Sequence, residues 1–139
     1  GQSDDGMELG MCYLGPEMDE LTFVGARFEL YLLENDTISI IKGTKSGIGY
    51  RGISHTQKYE EHQIINLENK IFFMTSDGLI DQVGGERRLM FGKRRFKELL
   101  LNLKDRPLAD YKHPILEKLL EYQGEQKRRD DVSVIGFKV

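Results

Sequence analysis

The hydrophobic pattern of this chain changes its period after Gly84-Gly85, and this change limits the folds that the chain can adopt. Before this point, short segments alternate apolar and polar residues, which is the period of a strand with one buried face. They cover residues 8–14, 20–25, 28–33 and 37–41, with turn-forming residues between them. We expect these four strands to form an antiparallel meander.

Three further strands are predicted. After a glycine-rich loop at residues 42–52, a polar strand at residues 58–67 should lie at a sheet edge. Residues 71–74 are apolar on both faces, so their strand should lie in the middle of the fold. The last strand is expected over residues 132–139.

Two helices are predicted after the change of period. Phe96, Leu99, Leu100 and Leu103 fall at i, i+3, i+4 and i+7, which is the apolar stripe of an amphipathic helix over residues 93–103. A second helix is expected over residues 114–123, with Gly124 as its stop. Strands followed by helices and a last strand indicate an α+β fold.

The composition fits one globular domain and argues against two classes of partner. The chain has 139 residues, 39% of them hydrophobic, and its net charge is −3. Since this charge attracts neither nucleic acid nor an anionic membrane, no nucleic-acid partner is expected. No segment is apolar enough to cross a bilayer and no signal peptide is seen, so we expect a cytoplasmic chain. Cys12, the single cysteine, is expected to be a buried, inert thiol.

Two short acidic stretches carry most of the functional information. Thr75-Ser76-Asp77-Gly78 follows the apolar strand at residues 71–74, and Arg129-Asp130-Asp131 precedes the last strand. If these strands are neighbours, Asp77 and Asp130 come together at one end of a sheet. Paired carboxylates on rigid strand ends suit hard divalent cations such as Mg²⁺ or Mn²⁺. This arrangement predicts metal-assisted hydrolysis.

Structural explanations for the same residues remain open at this stage. Asp77-Gly78 is also a common turn sequence, and Asp77 could cap the turn that follows it. Arg128 and Arg129 could neutralise Asp130 and Asp131 without any cation. Asp81 lies four residues after Asp77, so a helical turn would place both carboxylates on one side.

Other candidate sites are weaker. His55, His62 and His113 lack the close spacing of a zinc site, and we interpret them as surface residues. The glycines of residues 43–52 favour an ordinary loop over a phosphate cradle. A basic cluster is interpreted as a solvated helix face, with docking of an acidic phosphoprotein as the alternative; it comprises Arg87, Arg88, Lys93, Arg94, Arg95 and Lys97.

The two acidic stretches also resemble the motifs of a known family. Ser76-Asp77-Gly78-Leu79-Ile80-Asp81 and Arg129-Asp130-Asp131-Val132-Ser133-Val134 are similar to the metal-binding motifs of the metal-dependent protein serine/threonine phosphatases of the phosphatase 2C-like group, in the bacterial stage II sporulation E branch. Similarity to SiaA-like phosphatases spans nearly the whole chain and includes Ser3-Asp4-Asp5-Gly6, Val24-Gly25-Ala26-Arg27, Gly47-Ile48-Gly49-Tyr50-Arg51, Asp81-Gln82, Gly84-Gly85-Glu86, Phe91-Gly92 and Tyr122-Gln123-Gly124.

The resemblance implies an antiparallel β-sandwich flanked by α-helices, with two or three Mn²⁺ or Mg²⁺ ions at one end. The nucleophile in that family is a water held between two metals. Asp77 and Asp130 would bind the central metal, with Gly78 beside Asp77 among the metal-binding positions. Asp5, or else Asp4, would join Asp77 at a third, weaker site. Asp81 and Asp131 would lie next to the site without binding metal.

One departure from the family pattern limits this inference. The family's amino-terminal half supplies a further metal-bridging aspartate in an Asp-x-x-Gly-His-Gly motif, and no Gly-His-Gly occurs in this chain. We therefore interpret residues 1–139 as the carboxy-terminal part of a single phosphatase domain whose amino-terminal half is absent. We expect this piece alone to be inactive, and its unpaired sheet edges to favour self-association.

By resemblance, the intact domain would hydrolyse phosphoserine or phosphothreonine on a partner protein in bacterial partner-switching signalling. The partner would be a phosphorylated protein of the anti-sigma-factor-antagonist type. Membrane anchoring of the intact protein by upstream segments is left open. Two other hypotheses are kept: a noncatalytic phosphatase-like interaction module, and a structural β-rich domain in which Asp77 and Asp130 only cap turns.

Overall fold

The computed structural model describes residues 5–139, and these residues divide into two compact units. The first unit contains residues 5–32, Ser39–Phe72 and Lys138–Val139. The second contains Leu33–Ile38 and Phe73–Phe137. The mixture of antiparallel strands and helices confirms the predicted α+β class. No helix in the described part of the chain is long and apolar enough to span a membrane.

The strands of the first half lie close to their predicted positions. They are β1 (Leu9–Leu14), β2 (Glu20–Ala26), β3 (Glu29–Glu34), β4 (Thr37–Lys42), β5 (Glu61–Ile65) and β6 (Lys70–Thr75). Alternation is clear in β2, where Leu21 and Phe23 are fully buried and Thr22 and Val24 are half-buried. The strand predicted at residues 58–67 is shortened to β5.

The prediction of a four-stranded meander is wrong, because β1 to β4 do not form one sheet. A three-stranded sheet has the order β1-β2-β5, and a four-stranded sheet has the order β4-β3-β6-β9. In the first, β2 pairs antiparallel with β1 and with β5, placing Phe23 opposite Cys12 and His62. After β2, Arg27 adopts a positive φ of 51°, and this turn ends the ladder before β3 begins.

Two predictions about strand position are confirmed. The polar strand β5 lies at the edge of the three-stranded sheet, and the apolar strand β6 lies inside the four-stranded sheet. The neighbour of β6 is β9 (Val134–Phe137), which is the last strand of that sheet. The carboxyl end of β6 and the amino-terminal approach to β9 carry the two acidic stretches.

The second unit holds the helices. They are α1 (Asp77–Ile80), α2 (Gly92–Leu103) and α3 (Lys112–Gln123), with a 3₁₀ turn at Leu108–Asp110 and a small hairpin of β7 (Val83–Gly84) and β8 (Leu89–Met90). All four residues of the predicted apolar stripe of α2 are buried. Gly124 ends α3 with a φ of 54°, as expected for a residue that stops a helix.

Cys12 is half-buried on β1 rather than fully buried. Burial raises the pKa of its thiol to about 11, so the thiol stays protonated at neutral pH. The expectation of an inert cysteine is consistent with this pKa.

Candidate functional site

The first acidic stretch lies where β6 ends and a short helix begins. Thr75 is the last residue of β6, Ser76 is the N-cap position, and Asp77 is the first residue of α1. The Asp77 side chain is exposed, whereas Gly78 and Leu79 are buried. Because Asp77 is the first helical residue, it does not occupy the cap position that the structural hypothesis gave it.

The second acidic stretch is attached to the first by Ser76. The Ser76 amide donates to the Ser133 carbonyl at 2.9 Å, and the Ser133 amide donates to Ser76 Oγ at 2.9 Å. Ser76 Oγ in turn donates to the Asp131 carbonyl at 3.2 Å. One serine therefore bonds the backbone of both Asp131 and Ser133, directly after Asp130.

Gly78 brings the two backbones into direct contact. A Cβ placed on Gly78 would lie 2.1 Å from the Asp131 carbonyl oxygen and 3.2 Å from that of Asp130. No side chain fits there without moving one of the segments. The glycine is thus required by the close approach of the two backbone segments, and the simple turn interpretation does not explain it.

Gln82 attaches the residues before Asp130. Its side chain is fully buried, and Nε2 donates to the carbonyls of Val83 and Lys127, both at 3.0 Å. Gln82 Oε1 accepts the Arg129 amide at 3.3 Å. We call residues 75–82 together with residues 127–133 the aspartate junction.

The carboxylates of the aspartate junction face solvent. The Asp131 amide donates to Asp130 Oδ1 at 2.7 Å, which orients that carboxylate. Within the described residues, the Asp77 carboxylate has no hydrogen bond or ion pair, and neither Asp130 nor Asp131 pairs with an arginine. Arg128 instead donates to Gln123 Oε1 at 2.9 Å. Neutralisation by Arg128 and Arg129 is therefore not what holds these carboxylates together.

Sequence comparison decides the family. A family model, Stage II sporulation protein E (SpoIIE), matches residues 6–139. The chain belongs to the SpoIIE family. Comparison with curated proteins finds no match.

Solved structures share the fold of the SpoIIE-family chain. The SiaA-PP2C domain of Pseudomonas aeruginosa is 29% identical, with a TM-score of 0.86, over 96% of this chain and 52% of that domain. The Bacillus subtilis SpoIIE phosphatase domain, presoaked with Mn, is 13% identical, with a TM-score of 0.70, over 96% of this chain and 56% of that one. The Mycobacterium tuberculosis serine/threonine phosphatase PstP/Ppp is 17% identical, with a TM-score of 0.62, over 94% of this chain and 59% of that one.

These comparisons confirm the resemblance and the phosphatase 2C-like fold. The chain spans about half the length of the solved structures that it matches. The interpretation of residues 1–139 as the carboxy-terminal part of a single domain, with its amino-terminal half absent, stays a prediction.

The SpoIIE-family chain has the donor chemistry for a hard cation, but few donors. Two exposed carboxylates on adjacent segments suit Mn²⁺ or Mg²⁺, which prefer oxygen ligands. In residues 5–139, however, no group of three His, Cys, Asp or Glu side chains could hold a metal ion. Asp77 and Asp130 supply two oxygen-donor side chains, and the remaining coordination positions of an ion would fall to other ligands. Their role as ligands, and that of Gly78, stay predictions.

The other predicted site residues have different positions. Asp81 is exposed, and its amide donates to the Asp77 carbonyl at 2.8 Å, as in the helical turn that the sequence suggested. Asp131 is exposed beside Asp130. Asp5 is exposed in the first unit, and Asp4 lies outside the described residues. A third metal site at Asp5 or Asp4 stays a prediction.

The weaker candidates are mostly structural. His55 and His113 are exposed and His62 is half-buried on β5, so the interpretation as surface residues is confirmed in full for the first two only. In the glycine loop, a Cβ on Gly47 would lie 2.3 Å from the Tyr50 ring, so this glycine makes room for an aromatic side chain. Arg95 departs from the solvated basic face: it donates to the carbonyls of Met90 and Phe91 and lies over the Tyr122 ring.

Gln82 is the residue of the aspartate junction whose role the sequence reasoning missed. It looked like an ordinary polar residue after a turn, because its partners Lys127 and Arg129 are more than forty residues away. Its one signal was membership of the Asp81-Gln82 pair in the resemblance to SiaA-like phosphatases.

Proposed function

We propose that this chain is part of a protein serine/threonine phosphatase domain in which Asp77 and Asp130 jointly bind Mn²⁺ or Mg²⁺. The observation that supports it most is the contact between Gly78 and the Asp130-Asp131 backbone, which joins two exposed carboxylates from distant parts of the sequence. Membership of the SpoIIE family supports the phosphatase activity. Asp77 and Asp130 would hold and orient the ion, and Ser76 would hold their segments together.

A divalent cation at this place supplies Lewis-acid activation of water and neutralises charge on a phosphoryl group. The chain's own contribution is geometric. Asp77 is fixed at the start of α1 directly after a buried strand, and the Asp131 amide fixes the rotation of the Asp130 carboxylate. The backbone of Asp77 and the carboxylate of Asp130 are thereby placed before any ion binds, which lowers the entropy lost on binding.

The metal claim is tested by titrating Mn²⁺ into the unaltered chain, Asp77→Asn and Asp130→Asn by calorimetry. We expect each substitution to weaken binding by tenfold or more, because a carboxylate ligand is replaced by a neutral amide. Asp81→Asn is the matched control, since Asp81 lies one helical turn away and is expected not to bind. Equal binding by the unaltered chain and Asp77→Asn would remove Asp77 from the site.

A noncatalytic interaction module is the second candidate function. It is favoured by the presence of only two suitably placed carboxylates in the described part of the chain. A phosphatase assay on the intact protein separates the two, using a phosphoserine peptide with and without Mn²⁺. Manganese-dependent phosphate release supports the enzyme. Its absence, with Mn²⁺ binding intact, supports the module.

For the partner, we propose a phosphorylated protein of the anti-sigma-factor-antagonist type in a partner-switching pathway. The exposed residues Arg87 and Arg88, on the hairpin that leads into α2, would attract an acidic phosphoprotein. Binding of a phosphorylated partner should weaken with salt and with Arg87→Glu plus Arg88→Glu. Lys45→Glu, another exposed position, is the control.

Self-association is proposed at the free side of β9. This strand ends its sheet, Ile135 on it is 56% exposed, and an apolar groove of about 370 Å³ lies beside it. We call this the α3 groove; it is lined by residues that include Phe73, Leu108, Tyr111, Leu119, Val134 and Gly136. Light scattering should show dimers that Ile135→Lys removes and that Ile65→Lys, an equally exposed isoleucine on β5, leaves in place.

A further inference from the structure

Gln82 is an unusual residue to find completely enclosed. Its exposed fraction is 0%, yet its amide carries two donor hydrogens and an acceptor oxygen. Burying such a group is unfavourable unless hydrogen bonds replace those it makes with water. Its position in the aspartate junction therefore depends on its partners.

Those partners lie immediately before Asp130. Nε2 donates to the Lys127 carbonyl at 3.0 Å, and Oε1 accepts the Arg129 amide at 3.3 Å. The second Nε2 bond, to the Val83 carbonyl, holds the amide against its own backbone. The Gln82 carbonyl accepts the Phe91 amide at 2.7 Å, which fixes the residue from a further direction.

The segment that Gln82 binds has little regular structure of its own. Residues 124–133 belong to no helix or strand, and the backbone bond from the Ser76 amide reaches Ser133, three residues after Asp130. Within residues 5–139, Gln82 is the one side chain that bonds the backbone of both Lys127 and Arg129. On the other side of Asp130, Ser76 binds the backbone of Asp131 and Ser133. Asp130 is thus held between two side chains that both belong to the Asp77 segment.

We propose that Gln82 is a positioning residue, which fixes Asp130 beside Asp77 and thereby sets the affinity of this pair for Mn²⁺ or Mg²⁺. The inference rests on the proposed function for its metal consequence. Gln82 touches neither carboxylate. It acts through the backbone on which Asp130 is carried, as groups behind metal ligands commonly do.

The first experiment is metal-free and measures amide hydrogen exchange by NMR in the 139-residue chain. Gln82→Met keeps the length of the side chain but loses its hydrogen bonds. In this variant, the ratio of the exchange rates of the Arg129 and Asp131 amides to that of the Phe73 amide should rise at least tenfold. Leu100→Ala, a fully buried residue of α2, is the control for general destabilisation and should not raise that ratio, because global unfolding exposes the Phe73 amide as well. An unchanged ratio in Gln82→Met would overturn the proposal.

The second experiment adds Mn²⁺ and follows paramagnetic broadening of the Gly78 and Asp131 amides. In the unaltered chain both should broaden at the same Mn²⁺ concentration. Gln82→Met should need a concentration about tenfold higher or more, whereas Leu100→Ala should not. Equal Mn²⁺ affinity in Gln82→Met and the unaltered chain would refute the metal consequence.

These experiments keep the two proposals apart. If the unaltered chain shows no Mn²⁺ broadening, the metal pair of the proposed function is refuted, and the metal-free exchange still decides whether Gln82 fixes the segment. If Gln82→Met does not fold, Gln82→Glu serves in both experiments, because it retains the acceptor for the Arg129 amide and loses the donor to Lys127. Its exchange ratio should lie between those of the unaltered chain and a free segment, and an unaltered ratio counts against the proposal.

Discussion

The aspartate junction and the α3 groove belong to the same compact unit but are stabilised by different forces. In the junction, backbones touch at Gly78, and the side chains of Ser76 and Gln82 satisfy their polar groups through neighbouring backbone. In the groove, Tyr111 stacks on Phe73 with ring centroids 5.9 Å apart, and its buried hydroxyl has no hydrogen-bond partner among residues 5–139. Hydrogen bonds fix atoms in place, whereas apolar packing tolerates shifts. The junction is therefore the region suited to holding a charged group at a fixed position.

The largest effect is expected for Gly78→Ala in the aspartate junction. The new Cβ would lie 2.1 Å from the Asp131 carbonyl oxygen, and relief requires movement of backbone on one side. We expect the free energy of unfolding to fall by about 3 kcal/mol, at the upper end of typical overpacking costs. Urea denaturation measures it.

Gly15→Ala is the matched control, since the nearest atom to its Cβ is 3.8 Å away. It should change the stability by less than about 0.5 kcal/mol. A Gly78→Ala chain as stable as the Gly15→Ala chain would show that the junction yields as readily as the groove, which would remove the contrast between them.

Ser76→Ala removes side-chain hydrogen bonds from the junction without adding atoms. The Ser133 amide and the Asp131 carbonyl both lose Ser76 Oγ as a partner. Because this region is partly exposed, water replaces some of the lost hydrogen bonds. We expect the free energy of unfolding, measured by thermal or urea denaturation, to fall by about 1.5 kcal/mol.

Ser54→Ala is the control for Ser76→Ala. The Ser54 hydroxyl also forms hydrogen bonds with local groups, but in an exposed turn. Its removal should lower the free energy of unfolding by no more than about 0.5 kcal/mol. If the two serine substitutions had equal effects, the hydrogen bonds of the junction would be no stronger than those of an ordinary surface turn.

How much of this contrast the sequence could predict depends on the range of the interactions. The helix over residues 93–103 and the strand at residues 71–74 were predictable because their apolar periods are local. The neighbouring positions of β6 and β9 were the condition under which the two acidic stretches form one site, and the structure meets this condition. Pairing of β2 with β5 was not predictable, because alternation identifies a strand and its buried face but not its partner.

The details of the site were harder to predict than its location. Asp77-Gly78 has the sequence of a turn, and only the structure shows that Gly78 is needed for the approach of Asp131. The burial of Gln82 depends on bonds to residues 45 and 47 positions away, which no local pattern records. The small hairpin of β7 and β8 was missed because strands of two residues have no measurable period.

Gly136→Ala tests the groove with the same chemical change as Gly78→Ala. Its Cβ would lie 2.8 Å from the Phe73 ring and 3.3 Å from Leu108 Cδ1, so the crowded atoms belong to side chains rather than backbone. Those side chains line the groove and have space beside them. We expect a loss of about 1 kcal/mol by urea denaturation. A loss equal to that of Gly78→Ala would show that the groove is packed as rigidly as the junction.

The smallest effect is expected for Tyr111→Phe, and it tests the groove at a buried hydroxyl that has no hydrogen bond in the described part of the chain. Removing a buried hydroxyl that has no partner should leave stability at pH 7 unchanged or raise it by about 0.5 kcal/mol.

Burial, and secondarily the charge of Asp105, raises the pKa of Tyr111 above its ordinary value of 10.0. The neutral phenol therefore favours the folded state, and this contribution is lost as the pH rises above 10, where the unfolded chain ionises first. The free energy of unfolding of Tyr111→Phe should therefore decline less steeply than that of the unaltered chain as the pH rises from about 10, the pKa of a free tyrosine, to about 11. A loss of 1 kcal/mol or more at pH 7 would mean that the hydroxyl is bonded in solution, and that the groove, like the junction, depends on hydrogen bonds.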